Sequence, residues 1–91
     1  MTKNQQIIEA LFFVSTVPLE QKDINKVFGK ENSPVLDDEV KHLNHFYEKS
    51  SFYIKAIGSG FMMVSKKDFE PFITKLIPSK KLMLSNAALE V

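Results

Sequence analysis

His42 and His45 stand three residues apart in "DDEVKHLNHFYEK", close to Asp38 and Glu39. Imidazoles beside carboxylates are the donor set of many metal sites, and a spacing of three puts them on neighbouring turns of one helix. A closed site needs further ligands, and nothing elsewhere in the chain supplies a convincing third. Exposed histidines on helices are common, so the pair reads as surface. Asp37 and Asp38 offer paired carboxylates, but they fall at a helix start, where negative charge complements the macrodipole. Their role reads as structural rather than acid–base. "GSGF" (58–61) is too short to cradle a phosphate and joins two strands, whereas a phosphate loop joins a strand to a helix. Serine, histidine and aspartate occur without any nucleophile motif, and there is no cysteine to serve as nucleophile or thiolate ligand. Met62 and Met63 are strand neighbours, one inward and one outward. Nothing here calls for an enzyme, a metal or a cofactor.

Charge chemistry says more. All 12 basic residues are lysine. Arginine makes the planar bidentate contacts to guanine and phosphate, while lysine offers a point charge, so sequence-specific DNA reading is handicapped. Residues 34–49 carry Asp37, Asp38, Glu39 and Glu48 against Lys41 and Lys49. Residues 66–81 carry five lysines against Asp68 and Glu70. Lys66, Lys67, Lys80 and Lys81 are the weak candidates for phosphate contact, with Lys75 between them. Such lysines more often form a solvated face. The absence of cysteine fits a reducing compartment, and "MTKNQQIIEALFFV" is too polar and short for a secretion signal or a membrane span. A cytoplasmic protein is expected.

The elements that must position these residues follow from periodicity. A chain of 91 residues is one domain with a single modest core. Ile7, Ile8, Leu11, Phe12 and Val14 recur at helical spacing, predicting a first helix over about 4–15. Pro18 ends the connection that follows. Ile24, Val27 and Phe28 mark a short second helix, about 20–28, with Gly29 as a left-handed stop. After the loop "KENSPV", Leu36, Val40, Leu43 and Tyr47 fall at intervals of four, three and four on a third helix of about 35–49. Then "FYIKAI" and "FMMVS", separated by "GSG", read as a hairpin. "KKDFEPFITKLI" returns to helical spacing, with Asp68 as N-cap and Pro71 in the first turn. Three helices followed by a hairpin is the order of a winged helix-turn-helix: an α+β fold, mainly α, with a further C-terminal helix. Leu11, Phe12, Leu43, Tyr47, Phe69 and Phe72 are expected to share one core with the inward face of the wing.

Two large aromatics fall off these stripes. On a wheel of about 100° per residue, the first helix centres its core face near Leu11, and Phe13 points nearly away. On the third helix Phe46 aligns with Val35 and His42, flanking the core stripe. Off-core aromatics on two helices of so small a domain mark an interface, so Phe13, Val35, His42 and Phe46 are the protein-interface candidates. A winged helix is often a DNA reader, but here the third helix has two lysines against four acids facing a polyanion. The helix-turn-helix reads as reused for protein contact.

The end of the chain, "KLMLSNAALEV", begins a helix at Ser85 and stops within two turns, far below the roughly 12–15 residues an isolated helix needs. Residues 85–91 are therefore expected to be poorly ordered unless something packs on them. Three blocks, "IIEALFFVSTVPL" (7–19), "GFMMVSKKDFEPFI" (60–73) and "LSNAALEV" (84–91), together resemble the N-terminal domain of segregation and condensation protein B. That family shows "IIEALLFVS…PL", "GYxLVT…" and "LSxAALETLAIIAY" in this order and at about this spacing. Thr16 and Val17 stand where the family has a small, acidic turn, and lysines or apolar residues stand where arginines are common before "LS".

The resemblance implies that 1–83 is a first winged-helix domain and 84–91 a stub of the first helix of a second. It implies a non-catalytic subunit of a bacterial SMC–kleisin condensin complex in chromosome condensation and segregation. Such a subunit would be cytoplasmic and nucleoid-associated, a homodimer formed through this domain. It would grip the kleisin (segregation and condensation protein A), and through it the SMC ATPase, which hydrolyses the ATP. No membrane or small-molecule partner is implied, and DNA contact is at most indirect or non-specific. The alternative is a small winged-helix DNA-binding transcriptional regulator.

Overall fold

Thr2 opens the first helix through a reciprocal cap: its hydroxyl accepts the Gln5 N–H (3.1 Å), and Gln5 Oε1 accepts the Thr2 N–H (2.9 Å). The computed structural model describes residues 1–77. Helix α1 spans Lys3–Val14. Its buried face is Gln5, Ile8 and Phe12, and Leu11, expected at the centre, is only partly buried at the edge.

Helix α2 (Gln21–Phe28) contributes Ile24 to the core and is closed by Gly29, whose N–H donates to the Asn25 carbonyl (2.9 Å). Gly29 has φ 85° and ψ 139°, so it is an extended conformation at positive φ rather than the left-handed helical stop expected. Only glycine adopts that region without strain. Helix α3 (Leu36–Phe46) has Val35 at its N-cap, which offers no side-chain acceptor. Gln21 serves instead. Its Oε1 accepts the Leu36 N–H (2.7 Å), and its Nε2 donates to the Pro34 carbonyl (2.9 Å), so α2 fixes the start of α3.

The expected stripe holds: Leu36, Val40, Leu43 and Tyr47 are all buried. The helix ends at Phe46 rather than near residue 49, because turns replace it over 47–49. Tyr47 N–H is shared between the Leu43 and Asn44 carbonyls (both 3.1 Å), a tightened last turn.

Strands β1 (Phe52–Ile57) and β2 (Gly60–Ser65) pair antiparallel, with Tyr53 opposite Val64, Ile54 opposite Met63 and Ile57 opposite Gly60. Gly58, at φ 60°, makes the two-residue loop. Phe52, Ile54, Phe61 and Met63 face the helices, and Ile54 is buried. Asn44 holds β1 to α3 twice: its Oδ1 accepts the Ile54 N–H (2.8 Å), and its Nδ2 donates to the Ile54 carbonyl (2.9 Å). A further pairing was not legible in the sequence. Leu19, in the α1–α2 connection, bridges Phe61 in both directions (2.7 and 2.8 Å). Gly60 permits that approach, since a Cβ there would lie 2.7 Å from the Leu19 carbonyl oxygen.

The last described elements correct the expected core. A 3-10 turn (Lys67–Phe69) precedes helix α4 (Glu70–Leu76), so Asp68 lies inside the turn and is not the N-cap, while Pro71 occupies the first turn as expected. Phe69 is 41% and Phe72 67% exposed, and neither joins the core. The inward face of the hairpin is already filled by the three helices, and α4 lies against the opposite face, where Ile73 and Glu70 approach the strands. The architecture is a winged helix-turn-helix, with α2 and α3 as the helix pair and β1–β2 as the wing. The expected stub, 84–91, lies outside the described residues.

Candidate protein interface

Helix α3 carries three of the four interface candidates on one line. Val35, at its N-cap, is 58% exposed and Phe46, its last residue, is 50% exposed. They are separated by three turns, about 16 Å. Between them lie Glu39 and His42. Glu39 Oε1 accepts a hydrogen bond from Gln5 Nε2 on α1 (3.3 Å) and lies 3.6 Å from His42 Nδ1. The His42 side chain is well exposed. His45 turns to Glu48 instead, at 3.4 Å. The two histidines therefore pair with separate carboxylates, and no group of three metal-ligating side chains occurs among the described residues.

Phe13, on α1, is 79% exposed and stands apart from that line. It borders a shallow cleft of about 200 Å³ lined by Glu9, Ala10, Phe52 and Met63. Two of these lining residues touch the buried Tyr47, whose hydroxyl donates to Glu9 Oε2 (2.6 Å) and whose ring lies 4.9 Å from that of Phe52. Burial, and then the hydrogen bond and charge of Glu9, hold the Tyr47 phenol well above its ordinary pKa.

The lysine candidates divide. Lys66 Nζ donates to the carbonyls of Tyr47 (2.7 Å) and Glu48 (2.9 Å), so its charge serves the C-terminal end of α3. Lys67 is exposed and, with Lys55, rims an open groove of about 650 Å³ between the outer face of the hairpin and α4. The groove floor is apolar, with Tyr53, Ile57, Met62, Val64 and Ile73, and Glu70 stands at its edge. Lys80 and Lys81 lie outside the described residues. Sequence reasoning missed this groove, because the alternation of β1 and β2 places apolar residues on both faces of the hairpin. The signal was present in Tyr53, Ile57, Met62 and Val64, which share one face by register.

Among the described residues no helix is long and apolar enough to cross a membrane. The chain matches the family model for segregation and condensation complex subunit ScpB over residues 6–91. The crystal structure of a conserved hypothetical protein from Chlorobium tepidum superposes with a TM-score of 0.73 at 24% sequence identity, which supports the fold. The match covers 93% of this chain and 55% of that one, so this chain spans little more than half the length of its structural neighbour. No curated protein matches the chain. With nearly the whole sequence accounted for by one family and the winged-helix geometry in agreement, the chain belongs to the family of segregation and condensation complex subunit ScpB.

Proposed function

We propose that this domain acts as a non-catalytic part of a bacterial SMC–kleisin condensin complex, through self-association and through binding of the kleisin subunit. The observation that carries the reading is the family match over residues 6–91. ATP hydrolysis in such a complex falls to the SMC partner, and the role places the protein in the cytoplasm, at the nucleoid. The surface supports protein contact: Phe13 and Phe46 are large, off-core and exposed, on two different helices. Covering an exposed phenylalanine stabilises a complex by about 1.5–3 kcal/mol if burial is complete. A two-fold interface uses the same patch twice.

Phe13→Ser with Phe46→Ser should weaken dimerisation or kleisin affinity while leaving the helical circular dichroism intact. Unchanged sedimentation together with unchanged kleisin affinity would reject the proposed interface. A second reading, a DNA-binding regulator, draws on Lys55 and Lys67 beside the wing. It requires affinity for duplex DNA that falls steeply with salt, because each phosphate neutralised releases counterions. Stable capture of a kleisin fragment, with only weak DNA binding at physiological salt, separates the two.

A further inference from the structure

A third strand begins beside the hairpin and stops after one residue. Leu19 pairs with Phe61 in the antiparallel sense, and the same register would set Val17 opposite Met63. Val17 does not continue it. Ser15 Oγ accepts the Val17 N–H (3.3 Å) and donates to the Val17 carbonyl (2.6 Å), leaving the Val17 side chain 60% exposed. The bonds from Leu19 show that the Phe61 N–H and carbonyl point away from β1. Strand groups alternate, so those of Met63 and Ser65 point the same way. Among the described residues no backbone group outside the hairpin bonds to them. The other edge of the hairpin differs, because Asn44 takes both backbone groups of Ile54.

The chemistry of this edge selects its partner. Donors and acceptors alternating at strand spacing are matched by the backbone of another extended chain, and neither a nucleic acid nor a lipid offers that pattern. Residues opposite each other across a strand pair project to the same face. Met63 faces the helices and lines the cleft of about 200 Å³ bordered by Phe13. A side chain opposite Met63 therefore enters that cleft. Ala10, Phe13, Phe52 and Met63 make it apolar, and the Glu9 carboxylate beside them opposes an acidic guest. We propose that an extended segment of the kleisin adds to β2 as a short third strand, bonded to Met63 and Ser65, with an apolar side chain in this cleft. This rests on the kleisin reading above and goes beyond it in naming the edge, the backbone bonding and the side chain accepted. The pairing is short because Leu19 already holds Phe61.

Amide exchange of the unaltered chain, alone and with the kleisin subunit, tests it residue by residue. Alone, Met63 and Ser65 should exchange faster than Met62 and Val64, whose amides bond within the hairpin. With the kleisin, the first two should slow by roughly tenfold or more and the second two should change less. Ala10→Trp, at an exposed position of α1, fills the cleft. It should weaken kleisin binding by about tenfold or more with the helical circular dichroism unchanged, and Lys22→Trp on α2 is the exposed control. The exchange measurement stands by itself should Ala10→Trp fail to fold. A kleisin complex that leaves Met63 and Ser65 exchanging as before overturns the strand addition and leaves the kleisin reading standing. Equal affinity of a folded Ala10→Trp and the control overturns the placement of the side chain, and the proposal with it. Slowing that appears in the chain alone as its concentration rises assigns the edge to a second copy and overturns the proposal. Absence of any kleisin complex overturns both.

Discussion

Tyr47 does more for this domain than fill space. It is 4% exposed, closes α3, stacks obliquely on Phe52 and donates its hydroxyl to Glu9 on α1. Three elements therefore meet on one side chain. Its phenol titrates well above the ordinary value of 10.0, chiefly through burial and then through Glu9. In the unfolded chain the phenol loses its proton near pH 10, while the folded chain keeps it. The unfolded state then binds fewer protons, so stability is fully present below pH 10 and is lost as pH rises beyond it. Lysines titrate in the same range, so Tyr47→Phe is the reference. That variant should lose about 1–2 kcal/mol at neutral pH and show a shallower decline above about pH 10 in chemical denaturation. Parallel declines in both proteins would mean that Tyr47 is not the group responsible.

At the level of elements, α3 and the wing are tied by side chains rather than by a shared ladder. Asn44 occupies both backbone groups of Ile54, and Lys66 reaches from the end of β2 to the carbonyls that close α3. Lys66→Met keeps the apolar stem and removes the cation from the helix terminus. It should cost about 1 kcal/mol, and amide exchange in the last turn of α3 should speed up while the hairpin register survives. Unaltered exchange there would show that solvent satisfies those carbonyls equally well. Elements of this kind differ in how readable they were. The stripe Leu36, Val40, Leu43, Tyr47 was legible because its spacing fits only one helical face. Phe69 and Phe72 misled for a related reason: a period identifies an apolar face but says nothing about what lies opposite. Leu19 left no trace, since a one-residue bridge has no period. Phe13 and Phe46 were read correctly as off-core, while the capping role of Lys66 needed the hairpin to bring residue 66 beside residue 47.

For the molecule as a whole, the core of the described residues is eight buried apolar side chains drawn from α1, α2, α3, β1 and the α3 cap. A domain of this size has a net stability of roughly 5–10 kcal/mol. Leu43 is fully buried near the middle of that cluster. Leu43→Ala should cost about 2–5 kcal/mol, a large fraction of the total. A loss under about 0.5 kcal/mol on chemical denaturation would contradict the packing of α3 described above. Outside this core, Phe13, Val14, Val17, Phe72 and Leu76 all remain more than half exposed. So much apolar surface on so small a body is what a component of an assembly presents.

The bridge between Leu19 and Phe61 bears on how such an assembly forms. It stitches the α1–α2 connection to the turn end of the wing, and Gly60, beside that turn, lets the two backbones touch. A wing joined to α3 through Asn44 and held at its turn end by Leu19 cannot swing as an arm or wrap itself around a guest. The described domain therefore meets its partners as a preformed die. Calorimetry of its binding should show a heat-capacity change accounted for by the contact area alone, with no further contribution from a segment ordering within residues 1–77.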